Sequence, residues 1–378
     1  MLVLIQCQVA LWKLGLNTLF KNSITESVRQ QKHRSHRFSL KNTAFKFLNL
    51  KLIKERCFIL ELVNLSNYPT DTKDLIMNQA CCLEHFLNTY HLDGIELMLC
   101  EPWQENLHRP EWIKGIHLRF WFNWLDFWRQ DYTILHKEIG NANSISACYG
   151  GLTRKAWLDV YRENIMQAAA TPSEYMVFHI AQVRSSEVFK YCFSATSREV
   201  VTAAVEVINE ITRELPADRL LLFENLWWPG LTLLDKDLVE YLFQNIEHKN
   251  SGIMLDTGHL MNTNLDLTTQ AEAVSYVLKT VEGLGEYKKK IHGIHLHYSL
   301  SGEYVKQKKQ FCVDDPADPV QLMNHILQID QHLPFTDSSA KKIVKMVCPD
   351  YLVHEFVQRS NVDWQQKITI QKSTMAGV

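Results

Sequence analysis

GIMLDTGHL, residues 252–260, is an apolar run of strand length that ends on an aspartate, with a histidine three residues further on. Side chains alternate across a strand, so Ile253 and Leu255 share one face and Asp256 takes the other. A carboxylate closing a run built for burial is costly unless a partner neutralises it. The same arrangement recurs along the chain. DGIELML (93–99) sets Ile95 and Leu97 against Glu96, and GIHLRF (115–120) sets Ile116 and Leu118 against His117 and Arg119. In YMVFHIA (175–181), Met176 and Phe178 oppose His179, and in RLLLFEN (219–225), Leu221 and Phe223 oppose Glu224. IHGIHLHYS (291–299) opposes Ile294 and Leu296 to His295 and His297, and DYLVHEF (350–356) opposes Leu352 and His354 to Glu355.

With CFILELVNLS (57–66) these segments make eight strands. Helical spacing separates them at 72–89, 154–169, 197–214, 235–247, 268–286 and 318–331, with a last helix near 361–373. Only 100–114 lacks a helix signal. This alternation predicts an α/β fold, a (β/α)8 TIM barrel. The rival, a doubly wound open sheet, favours a Gly-rich phosphate loop, and neither GxGxxG nor GxxxxGK[ST] occurs. In a barrel the apolar strand faces meet the helices. The polar residues then converge on the C-terminal mouth, where such barrels place active sites.

The hydrophobic fraction of 46% and charged fraction of 22% are those of a soluble globular protein. Residues 1–56 differ from the rest, with eleven Lys/Arg against two Asp/Glu and weak periodicity. They read as a basic, poorly ordered extension to a barrel domain spanning 57–378. The remainder carries 29 basic and 40 acidic residues, which argues against a nucleic-acid partner. The opening MLVLIQCQVALWKLGLNTLF is interrupted by Gln6, Gln8, Lys13 and Asn17, so neither a signal peptide nor a membrane anchor is expected. Nine cysteines without a CxxC pair read as reduced thiols in a cytoplasmic protein.

Glu224, Asp256, His295 and Glu355 bring carboxylates and an imidazole to one point. That donor mixture suits one divalent metal ion, Mn, Co, Zn or Mg. His117 and His179 can complete a second metal position or orient substrate, as can His259 and His297. Glu96 faces the same mouth. Arg119 and Arg184 follow strands and could hold an anionic substrate group, and Trp227 and Trp228 offer an aromatic wall. Plainer roles compete with each assignment. Asp256 can simply cap a helix, and the arginines can serve ion pairs. Most of WFNWLDFW (121–128) has helical spacing for packing, leaving Trp121 for the pocket. His292 and His354 point outward by parity.

DGIEL (93–97), LLLFEN (220–225), GIMLDTGH (252–259), IHGIHLH (291–297) and LVHEF (352–356) resemble, in order and spacing, the xylose isomerase-like TIM-barrel superfamily. That superfamily groups sugar isomerases and epimerases, inosose dehydratases and endonuclease IV, and the resemblance covers roughly residues 57–373. For the isomerase and epimerase branch it implies a single metal on Glu224, Asp256, His295 and Glu355, with His259 contacting substrate or a second metal. Glu224 and Glu355 would be the bases of an enediolate mechanism on a sugar or related polyol. The endonuclease IV branch adds histidines matching His117 and His179, and an Asp-x-His in the loop after the seventh strand. That loop, read as YSLSGEYVKQKKQFCVDDPADP, contains none, so a trinuclear site is not expected. A metal-dependent isomerase or epimerase is the leading expectation. A metal phosphoesterase or an inosose dehydratase-like lyase is the alternative, and a non-catalytic barrel binding module comes last. Relatives of this type commonly form homo-oligomers.

Overall fold

The computed structural model describes residues 58–309 and 319–377. The extension expected over 1–56 lies outside the described residues. Eight strands pair in parallel, each with the next: β1 (Leu60–Ser66), β2 (Gly94–Met98), β3 (Ile113–His117), β4 (Tyr175–His179), β5 (Leu220–Glu224), β6 (Ser251–Asp256), β7 (Ile291–Leu296) and β8 (Tyr351–His354). Pairing of β8 with β1 closes the barrel. The open-sheet alternative is thereby excluded.

Helices fill the connections, and their starts follow local chemistry. Thr153, Thr196 and Thr269 accept hydrogen bonds from first-turn amides, and the last two complete capping boxes with Glu199 and Glu272. Asp235 caps the helix Lys236–Asn245. The single helix expected over 72–89 is two, Pro69–Ile76 and Ala80–Tyr90. Met77 and Asn78 take left-handed backbone angles between them. The β3–β4 connection holds three further short helices, Trp124–Arg129, Tyr132–Glu138 and Ala142–Tyr149. The first realises the helical spacing of WFNWLDFW, and the other two are too short to show a helical period in the sequence. Among the described residues no helix is long and apolar enough to cross a membrane. Cys81, Cys82, Cys148 and Cys192 are free thiols, whereas Cys348 is disulfide-bonded, against the expectation of uniformly reduced cysteines.

Strand parity sorts the core. Ile95, Leu97, Ile116, Phe223, Ile253, Leu255, Ile294 and Leu296 face the helices. Leu62, Tyr175, Val177, Leu222, Met254, Tyr351 and Val353 form a separate cluster inside the barrel. This plug sits below the polar strand ends and seals the barrel beneath them. Trp121 belongs to the helix layer, not the pocket. It packs on Trp157 and Tyr161, and its Nε1 donates to the Cys148 carbonyl.

The outward-facing His354 closes the barrel seam. Its Nε2 donates to Glu61 Oε1 of β1 at 2.7 Å, and Gln371 Nε2 of the helix Asn361–Met375 donates to its Nδ1 at 2.9 Å. Lys372 Nζ donates to Glu61 Oε2 at 2.6 Å. Burial raises the Glu61 pKa, but bonds from His354 and Lys372 outweigh it and lower it to about 2 from 4.5. A depressed carboxyl pKa contributes stability that is complete above the unfolded value and lost as pH falls towards the folded one. Glu61→Gln should therefore cost about 2 kcal/mol at neutral pH. The deficit should shrink as pH falls from about 4.5 to 2, as measured by denaturant unfolding at several pH values.

Candidate metal centre

Register places the polar residues at a common height. The β4–β5 pairing sets His179 beside Glu224, and the β6–β7 pairing sets Asp256 beside His295. His117 ends β3, and Glu355 directly follows β8. All of these side chains are buried. The sequence-derived candidates therefore do converge at the barrel mouth.

With neighbouring side chains they form four groups of potential ligand atoms, each group lying within 4.8 Å; one, Glu96, His117 and His295, shares its histidines with two of the other three. The first is His117, His179 and Glu224, with the histidine Nε2 atoms 3.2 and 3.0 Å from Glu224 Oε2. The second is Glu224, Asp256, His295 and Glu355, in which His295 Nδ1 lies 3.3 Å from Glu224 Oε1 and 3.2 Å from Glu355 Oε2. The third is His259, His297, Asp330 and His332. Glu224 belongs to two groups, so the first two adjoin. Asp256 serves both of the roles that its sequence context allowed. Its Oδ1 accepts the His259 amide at 2.6 Å as the cap of helix Thr257–Asn262, while its Oδ2 faces His297 Nε2 at 2.8 Å.

Asp330 and His332 overturn the expectation that no Asp-x-His follows the seventh strand. The motif is Asp330-Gln331-His332, within the β7–β8 connection after the helix Pro319–Ile329. The helix expected over 318–331 ends at Ile329, which releases Asp330 from it. His332 takes a left-handed φ of 47° and the chain doubles back, so that Leu333 pairs antiparallel with Tyr298 just beyond β7. This brings His332 Nε2 within 2.7 Å of Asp330 Oδ2, and His259 Nε2 within 3.3 Å of the same oxygen. The motif was present in the sequence, but the helical spacing through residue 331 concealed it.

The pocket contains unmet polar atoms of the kinds that could hold metal ions. Both nitrogens of His179 lack a hydrogen-bond partner, as do Glu224 Oε1, His295 Nδ1, His297 Nδ1, Asp330 Oδ1, His332 Nδ1 and Glu355 Oε2. Buried polar atoms are rarely left so, and here they cluster on the ligand sides. Although His179 Nε2 is 3.0 Å from a carboxylate oxygen, the two are out of hydrogen-bonding line. Burial lowers the His179 pKa to about 4 despite Glu224, and burial with neighbouring His332 lowers that of His297 well below the usual range. Burial thus disfavours the charged form of both rings. Burial pushes Glu224 up, yet His179, His295 and His117 hold it well below the carboxylate range. Asp330 is held low against burial by His332 and His259.

The remaining candidates lie around this centre. Glu96 contacts His295 and lines a cavity of about 190 Å³, together with Asn64, Ser66, Asp71, His117, His332, Glu355 and Gln358. Arg184 does not line it. Its guanidinium donates to both oxygens of Asp126, at 2.8 and 2.7 Å. Arg119 is likewise outside the lining, with its guanidinium over the Trp121 ring at 4.5 Å. Trp227 and Trp228 are buried behind the ligands, and Trp227 packs 5.1 Å from the His259 ring.

No family model matches the chain, and no curated protein matches it. Among solved structures it is similar to a D-tagatose 3-epimerase-like protein, at 16% identity and a TM-score of 0.47, covering 84% of this chain and 97% of that one. It is also similar to the IOLI protein with a binding zinc atom, at 12% identity and a TM-score of 0.45, covering 84% and 96%. A third is the probable 3-DHS dehydratase AsbF, involved in petrobactin synthesis, from Bacillus anthracis, at 12% identity and a TM-score of 0.39, covering 83% and 98%. The barrel assignment itself rests on the strand pairing.

Asn225 braces this centre. Its side chain exchanges two 2.9 Å hydrogen bonds with the Asp256 main chain, and its carbonyl accepts His259 Nδ1 at 2.9 Å. Asn225→Ala should cost about 2 kcal/mol in denaturant unfolding by stranding buried backbone groups. Gly258→Ala should disturb the third group selectively, because its Cβ would meet the His297 ring at 2.2 Å. Metal content by elemental mass spectrometry should fall in both variants.

Proposed function

We propose that the chain is a multinuclear, divalent-metal-dependent hydrolase that cleaves a phosphoester of a small polyhydroxylated molecule. The observation that carries this is the third ligand group, in which Asp330 and His332 join His259 and His297 beside the two groups sharing Glu224. Glu224, Asp256, His295 and Glu355 alone would suffice for single-metal isomerisation, which gives the other buried ligands no task. The abundance of imidazole favours Zn, Mn or Co over Mg. Bound divalent ions would supply Lewis acidity and positive charge toward the attacking and leaving oxygens of a phosphoryl group.

The chain's own residues then have distinct tasks. Glu224 separates the first two positions and presents one oxygen to each side. Glu355 lines the cavity with an Oε2 that lacks a hydrogen-bond partner, and it can accept or return a proton there. Phe120, stacked 4.7 Å from His179, and Trp227 beside His259 exclude water from the backs of the ligands. Asn64, Ser66, Asp71 and Gln358 line the cavity as partners for substrate hydroxyls. No Lys or Arg is among the described lining residues. That supports a small substrate over duplex DNA, whose binding depends on phosphate neutralisation.

A sugar isomerase or epimerase using one metal is the second reading. It is favoured by Glu224 and Glu355 both lying within 3.3 Å of His295 Nδ1, as two bases at one position would. Metal stoichiometry separates the two. The purified full chain should bind two to three metals, with one lost in His332→Ala. Hydrolysis of bis(p-nitrophenyl) phosphate and of sugar phosphates should fall by about 100-fold or more in Glu224→Gln. One metal per chain, kept in His332→Ala and accompanied by ketose epimerisation, would establish the second reading instead. A chain that takes up no metal under any loading condition would sink both.

A further inference from the structure

We infer that Glu96, backed by Tyr175, is a positioning residue that orients the His295 ring so that Nδ1 faces the second ligand group. This rests on the metal-site reading above. Three strands build the arrangement. The register sets Glu96 of β2 beside Gly115 of β3, and Gly115 beside Tyr175 of β4. A Cβ on Gly115 would lie 2.2 Å from Tyr175 Cζ and 2.5 Å from its hydroxyl oxygen. The phenol therefore crosses β3 through space that any other residue would fill. Its hydroxyl donates to Glu96 Oε2 at 2.8 Å.

On its other side, Glu96 meets His295. Nε2 of that ring lies 3.0 and 3.1 Å from the two carboxylate oxygens. An ionised carboxylate only accepts hydrogen bonds, so Nε2 carries the proton and donates it. When metal binding takes the second proton from the ring, the lone pair it uses is on Nδ1, which lies 3.2 Å from Glu355, 3.3 Å from Glu224 and 3.8 Å from Asp256. That nitrogen has no hydrogen-bond partner. A carboxylate holding the far nitrogen of a ligating histidine fixes both tautomer and ring angle. Glu96, His117 and His295 also fall within ligand distance of one another. A neutral imidazole has a single lone pair, however, so His295 cannot serve that trio and the second group together. The hydrogen bonds to Nε2 assign it to the second group.

The test compares the full chain with Glu96→Gln and Tyr175→Phe, each shown to be folded by circular dichroism. Zinc affinity is measured by chelator competition, and the visible absorption of the cobalt-loaded proteins is recorded. Glu96→Gln should weaken one zinc by about 10- to 100-fold, change the cobalt spectrum, and lower kcat more than it raises KM. Tyr175→Phe should shift the same readouts in the same direction by a smaller factor, and it carries the test if Glu96→Gln does not fold. Unchanged affinity and spectrum in both variants would overturn the inference. So would outright loss of one metal from Glu96→Gln at saturation with Tyr175→Phe unaffected, since Glu96 would then be a ligand itself. Wild-type protein without metal would sink the metal-site reading and this inference with it. Wild-type protein that binds metal, with variants indistinguishable from it, would overturn this inference alone.

Discussion

Glu224 is fully buried, and four imidazoles surround it: His117, His179, His259 and His295, at 3.0 to 3.3 Å. A carboxylate without water must be compensated by its neighbours, and here the neighbours come from β3, β4, β7 and the helix after β6. The strands therefore cannot slip in register without exposing an uncompensated charge at the barrel's centre. One shared anion links the candidate ligand groups and also ties together the strands that present them.

The barrel divides its interior between two tasks. The lower part is filled by Leu62, Tyr175, Val177, Leu222, Met254, Tyr351 and Val353, which exclude water and support the upper part. The upper part is polar almost throughout and would be unstable as an empty apolar cavity or as a set of unpaired charges. Glycine joins the two levels at Gly115, whose missing side chain lets a phenol from the lower level reach Glu96 in the upper one. Second-row contacts of this kind decide which nitrogen of a histidine is free to bind.

Much of this was legible in the sequence because strand alternation is strictly local. The inward placement of Glu96, His117, His179, Glu224, Asp256, His295 and Glu355 followed from parity alone. So did the outward placement of His292 and His354, which bond Asp350 and Glu61. Residues beyond strand ends were less legible. Arg119 and Arg184 lie past the last paired residues of β3 and β4, where alternation no longer fixes direction, and both turned to partners in the helix layer. Trp121 did the same.

The strand count, the parity of each strand and most of the inward-facing polar residues were readable from the sequence, because each depends on neighbours one or two residues apart. Only the tertiary structure decided the third ligand group. Asp330 and His332 reach His259 and His297 through a helix end at Ile329, a left-handed residue and an antiparallel contact between Tyr298 and Leu333. None of these leaves a periodic trace. The tautomer of His295 was likewise beyond the sequence. It depends on Glu96, 199 residues away in the chain and a hydrogen bond away across the barrel.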